Sequence, residues 1–145
     1  MAAYKKLSEN ISVAGQLFVG SLEKIKAQGF TTIICNRPDY EEDVEDQPLS
    51  ADIERRANEL GMQFSYIPID GAGPTLEAVH MTKAALDNAD GPVLAYCLSG
   101  ARSVMLASQV LALGNHSTID DLIAKALSLG YNLDRLRPEF ARLAA

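Results

Sequence analysis

Short apolar runs alternate with helix-length stretches along most of this chain, and that alternation limits the fold more than composition does. Ile11 to Val13, Leu17 to Val19, Thr31 to Cys35, Gln63 to Ile67 and Pro92 to Tyr96 read as strands, rich in β-branched and other apolar residues. Helices are expected over Leu22 to Gln28 with Ser21 as cap, Ser50 to Leu60 with a serine cap, and Thr75 to about Ala89 with Thr75 as cap. Gly29 and Gly61 are placed to end the first two. Further helices are expected over Ser103 to Leu113 and Ile119 to Leu127, and from near Asp134, where Pro138 falls in the first turn. Strand–helix–strand order of this kind predicts an α/β fold with a mainly parallel sheet flanked by helices. In such sheets the ligand site lies outside the carboxyl ends of the strands. The loops after Cys35 and after Tyr96 are therefore where function is expected.

The loop after Tyr96 carries the strongest chemical pattern, Cys97-Leu98-Ser99-Gly100-Ala101-Arg102-Ser103. A cysteine between a strand end and a helix start meets backbone N–H groups that have no intrahelical partner, at the positive end of the helix dipole. Such a place binds anions and favours thiolate over thiol. Arg102 is placed to bring its guanidinium back over a bound anion, because a planar, permanently charged fork donates to two oxygens at once. Gly100 opens backbone angles closed to other residues, so that the loop amides of Leu98, Ser99, Gly100 and Ala101 can converge on a ligand. Ser99 and Ser103 offer hydroxyl donors to the sulfur or the anion. A cysteine at a strand end is most often a small buried apolar residue; the glycine, arginine and serine that follow it shift the balance to a catalytic group.

Length suits a single domain over residues 1–145, with enough chain for one proper core. The net charge of −6 argues against a nucleic-acid surface, although a local field can still hold a small anionic substrate. No apolar run is long enough to cross a membrane, and the first residues, Met-Ala-Ala-Tyr-Lys-Lys, carry no apolar stretch of signal-peptide type. Two cysteines make no disulfide framework, so the reducing cytoplasm is the expected setting.

Cys-x-x-Gly-x-Arg-Ser resembles the active loops of rhodanese-type sulfurtransferases and cysteine-dependent phosphatases. Nearly the whole chain is similar to the bacterial family described as beta-lactamase hydrolase-like protein, phosphatase-like domain, also called the DUF442 sulfurtransferase family. The resemblance runs through Ile11-Ser12-Val13-Ala14-Gly15-Gln16-Leu17, Gln28-Gly29-Phe30, Asn36-Arg37-Pro38-Asp39 with Gln47-Pro48, Tyr66-Ile67-Pro68-Ile69, Gly91 to Cys97, and Gly130-Tyr131-Asn132-Leu133. It implies a dual-specificity-phosphatase-like fold.

Two chemistries follow from the resemblance. The phosphatase loop is one residue longer than the four residues between Cys97 and Arg102, a count found in many sulfurtransferases. A phosphoryl group has three outer oxygens to satisfy. A persulfide adds a single sulfur about 2 Å beyond Sγ, and a tighter ring suffices. The leading expectation is a sulfurtransferase that holds a persulfide on Cys97 and passes sulfur to a small thiol or other nucleophile. The alternatives are a phosphatase using the same nucleophile, and a non-catalytic module that binds an anion. Many sulfurtransferase loops place arginine directly after the cysteine, where this chain has Leu98, so a persulfide donor is favoured over an oxyanion such as thiosulfate.

A phosphatase also needs a proton donor for the leaving oxygen. Asp70 is the candidate by loop position, with a solvated turn residue as its other reading. Cys35 ends a strand and is placed to trap oxidised Cys97 as a disulfide, or else to fill the core. Arg37 is placed either to face the pocket, replacing the charge missing at Leu98, or to pair with nearby acids. The acidic run from Asp39 to Asp46 reads as a solvated loop. His80 and His116 read as structural or solvent-facing, and no metal-ligand spacing or cofactor motif occurs.

Overall fold

The computed structural model describes residues 3–113 and 117–144. Its strands are β1 (Tyr4–Lys6), β2 (Ile11–Ala14), β3 (Thr32–Cys35), β4 (Gln63–Tyr66) and β5 (Val93–Tyr96). Its helices are α1 (Leu22–Ala27), α2 (Ser50–Glu59), α3 (Leu76–Asp87), α4 (Ala101–Leu113), α5 (Ile119–Ser128) and α6 (Arg137–Ala144). The sheet order is β1-β2-β5-β3-β4, with β1 antiparallel and the other pairings parallel. This is the α/β, phosphatase-like arrangement that the sequence predicts.

Alternation along each strand assigns the helices to faces. Ile33, Cys35, Leu94 and Tyr96 share one core with Leu22 and Ile25 of α1 and Ile53 and Ala57 of α2. Ile34, Val93 and Ala95 point the other way, into a core with Ala78 and Val79 of α3 and Leu106 and Val110 of α4. Val13 continues that face toward Val104, Leu122, Ile123 and Phe140 of α4, α5 and α6. The central strands are buried on both faces, as parallel strands between helices must be.

Three local expectations change. Leu17 to Val19 is not a strand: Leu17 is a fully buried loop residue and Val19 opens a 3-10 turn, Val19–Ser21, that runs into α1. Ser21 makes no side-chain cap there. β1 was not legible, because Tyr4, Lys5 and Lys6 are all exposed and its order comes from pairing with β2 at the sheet edge. Pro138 is the second residue of α6, where a helix tolerates it. Thr75 does cap α3, its hydroxyl accepting from the Ala78 N–H at 3.1 Å.

The third change bears on function. Ser50 is the first residue of α2 and not its cap. Asp39 caps the helix from outside, its two carboxylate oxygens accepting from the Ser50 N–H at 2.8 Å and the Ser50 hydroxyl at 2.7 Å. The Asp39 N–H donates to the Tyr66 hydroxyl at 3.0 Å. Gln47 brackets the same loop, accepting from the Glu42 N–H and donating to the Pro38 carbonyl. The acidic stretch is thus tied to α2 and β4 at its base. Asp39→Ala should lower the unfolding free energy by about 1–2 kcal/mol, whereas Asp43→Ala, on the exposed part of the loop, should change it by less than about 0.5 kcal/mol; urea titrations of the two variants check this.

Candidate active site

Because the parallel pairings end level, Ala14, Tyr96, Cys35 and Tyr66 stand in a row, and the loops that follow them open on one edge of the sheet. The Cys97 N–H donates to the Ala14 carbonyl, and the Asn36 N–H to the Tyr96 carbonyl at 2.8 Å. This is the carboxyl edge where a ligand site was expected.

The Cys97 sulfur accepts from the Gly100 N–H at 3.1 Å. Gly100 has φ +94°, a conformation that favours glycine, and a Cβ there would lie 2.6 Å from the Tyr131 hydroxyl and have to displace it. Tyr131 closes the loop from the far side by donating to the Ser99 carbonyl at 2.9 Å. Leu98 is half exposed, and its carbonyl accepts from the Gln16 N–H. The Ser99 hydroxyl accepts from the Ala101 N–H at 3.3 Å, capping the start of α4. Cys97 itself is 1% exposed. The sulfur lies on the floor of the loop and presents little surface.

Asn36 organises this edge and was missed as a site residue. Its amide donates to the Ile67 carbonyl at 2.8 Å, and its side-chain oxygen accepts from the Ser103 hydroxyl at 2.8 Å. Ser103 is fully buried, and its proton goes to Asn36, not to sulfur. Of the two acceptors expected for Ser103, sulfur or a bound anion, this geometry uses neither; the hydroxyl ties α4 to the loop that follows β3.

The charges converge on Glu41. Arg102 donates to both its carboxylate oxygens, Nη1 to Oε2 at 2.8 Å and Nη2 to Oε1 at 2.9 Å, while Nη1 also reaches the Ile69 carbonyl at 3.0 Å. Arg37 Nε donates to the same Oε1 at 2.9 Å, and its Nη1 to Gln16 Oε1 at 3.0 Å. Arg37 is 1% exposed. Of the two readings of Arg37, the structure takes pairing with acids. The hydrogen bond from Arg102, reinforced by Arg37, holds the Glu41 carboxyl down to about 2 from its ordinary 4.5. The same bond, with a smaller contribution from the Cys97 sulfur, raises Arg102. Glu41 was read only as part of a solvated run; the signal was its position four residues after Arg37 in a loop anchored by Asp39.

Asp70 is exposed, and its carboxylate accepts from the Ala72 N–H at 2.8 Å within its own turn. Its neighbour Ile69 touches Arg102, so the turn borders the site. Cys35 is buried beside it, the thiol donating to the Arg37 carbonyl at 3.4 Å, and burial pushes it up to about 11. His80 is exposed on α3, and His116 lies outside the described residues. Among the described residues no three His, Cys, Asp or Glu side chains are grouped to hold a metal.

The fold is that of a phosphatase-like domain, shared with dual-specificity and tyrosine phosphatases. The chain belongs to the family described as beta-lactamase hydrolase-like protein, phosphatase-like domain, which matches residues 3–114. It is 33% identical over 101 residues to the beta-lactamase hydrolase-like protein of Agrobacterium fabrum, covering 70% of this chain and 23% of that protein. It therefore spans about a quarter of that relative. It is 32% identical, with a TM-score of 0.80 and 96% of each chain covered, to a provisionally assigned phosphatase of Neisseria meningitidis. The kinase associated phosphatase shares the fold alone, at 16% identity and a TM-score of 0.75.

Because Glu41 has a depressed pKa, its contribution to stability is complete above about 4.5 and is lost as pH falls toward about 2. Wild-type protein should lose urea resistance across that window by one more step than Glu41→Gln, in which the two curves converge at the acid end.

Proposed function

We propose that Cys97 is the nucleophile of a covalent group transfer and that the group is sulfur. The observation that carries this reading is the short loop itself, with Sγ held by the Gly100 N–H and the chain reaching Arg102 after four residues. In the first step Cys97 thiolate attacks the outer sulfur of a small-thiol persulfide. The new S–S bond forms as the old one breaks, and the donor leaves as a thiolate. In the second step an acceptor thiolate attacks the outer sulfur on Cys97 and regenerates the starting thiolate, so the cycle has no net oxidation. Neither step needs an acid, which suits a site whose candidate proton donor, Asp70, is engaged in its own turn. The loop from Leu98 to Ala101 lines the site, Arg102, shared with Glu41, flanks the donor, and Cys35 is the redox partner that captures an oxidised Cys97.

A second reading is favoured by the comparisons. The family and its solved relatives are described as phosphatase-like or phosphatases. Here Cys97 attacks phosphorus in a phosphate ester, and Asp70 moves from its turn to protonate the leaving oxygen. A third reading, anion binding without turnover, keeps the same loop.

Exposure to glutathione persulfide followed by intact-mass measurement should add one sulfur atom to the wild type and none to Cys97→Ser. Loading by thiosulfate should be slower. Turnover of an aryl phosphate without sulfur loading would establish the second reading, and sulfate binding with neither activity the third.

A further inference from the structure

We infer that Glu41 is the specificity-determining residue of this site, a charge filter that holds the fork of Arg102 and so turns away multiply charged oxyanions. The inference rests on Cys97 being the reacting group, as proposed above, and is independent of which atom Cys97 transfers.

An arginine beside a nucleophilic cysteine is useful to an oxyanion only through its paired N–H groups. Here both terminal nitrogens of Arg102 are already donating to the two oxygens of Glu41. An oxyanion that wants that fork must displace a carboxylate. The carboxylate is not loosely held, because its Oε1 is also bonded to Arg37, which is buried and fixed by Gln16. The backbone aims it: Tyr40, next in chain, has φ +68°, the one non-glycine residue with positive φ among the described residues. Asp39 and Gln47 anchor the loop on either side. The depressed pKa means that Glu41 carries its charge throughout the neutral range.

The charge balance gives the selection its sign. Two guanidinium groups would by themselves make an anion trap. Glu42 lies 3.6 Å from Arg37 and offsets part of that charge; Glu41, between the two guanidinium groups, removes a further unit and fills the hydrogen-bonding face of Arg102 that a dianion needs. An uncharged ligand that requires only access to sulfur has no such competitor, and a singly charged one is opposed less than a dianion.

The test compares alkylation of Cys97 by iodoacetate, an anion, with that by the uncharged iodoacetamide, located by peptide mass. Both reagents consume thiolate, so their rate ratio cancels any change in ionisation of the sulfur. In Glu41→Gln the iodoacetate-to-iodoacetamide ratio should rise about tenfold at low salt, as removal of one nearby charge predicts. The rise should shrink in concentrated salt. Glu45→Gln, the same charge change on the exposed part of the same loop, should leave the ratio at the wild-type value. A second measurement uses sulfate as probe: the concentration that half-protects Cys97 from iodoacetamide should fall about tenfold in Glu41→Gln. An unchanged ratio in Glu41→Gln, an equal rise in Glu45→Gln, or a native Cys97 that neither reagent modifies would each overturn the inference. Absence of sulfur loading with the ratio shift intact would defeat the sulfur reading alone.

Discussion

Parallel pairing sets Tyr96 between Ala14 and Cys35, and the next residue along β5 is Cys97. That register decides everything at the site. A slip of one residue would exchange the faces of Leu94 and Ala95, which lie in different cores, so burial on both sides of β5 locks the register firmly. With the register fixed, the Cys97 N–H meets the Ala14 carbonyl and Asn36 meets Tyr96. The close passage of Gly15 follows from the same constraint: a Cβ there would lie 2.9 Å from the Leu98 carbonyl oxygen. The cysteine loop is therefore shaped from below by strand pairing, before its own residues contribute.

Electrostatics then acts within that frame. The chain as a whole is acidic, at −6, yet two arginines are gathered at one edge. Burying Arg37 without a partner would be costly, and Glu41 with Gln16 supplies its acceptors. The same carboxylate satisfies Arg102. One acidic side chain therefore does two jobs, stabilising a buried cation and setting how much positive charge faces the cysteine. The acidic character of the loop around it keeps that loop in water, while Asp39 and Gln47 fix its ends.

The layering, the parallel sheet and the edge that carries the candidate site were legible in the sequence because they follow from local periodicity and from glycine and cap positions. Cys97, Gly100 and Arg102 were legible because a cysteine, a glycine and an arginine between strand and helix form a pattern. Glu41, Asn36 and Tyr131 were not. Each acts through a contact distant in sequence: Glu41 with Arg102, Asn36 with Ser103, and Tyr131 with Ser99. Periodicity carries no information about such pairs. Ser50 shows the same limit from the other side. Its residue type suits a cap, but the capping carboxylate comes from Asp39, which local pattern assigns to a solvated run.

The phosphatase-like frame and the cysteine loop make separate demands. The frame asks only for a strand end, a helix start and neighbours that hold the loop, and many chemistries can use it. The loop decides how many donors ring the sulfur. Here one amide, that of Gly100, reaches it, and Leu98 stands half exposed where many sulfurtransferases carry a cation. Arg37 does not replace that cation, since its charge is spent on Glu41 and Glu42 within the wall. The side-chain field at Cys97 is then that of one guanidinium already shared with a carboxylate, added to that of the loop amides at the start of α4. On the proposed sulfur reading this matters, because every oxygen of a tetrahedral dianion left without a donor would keep its desolvation cost. A sulfane sulfur asks for less, being large, weakly hydrated and displaced by a leaving thiolate that needs no proton. On this chain the loop, more than the frame around it, sets the balance between the two.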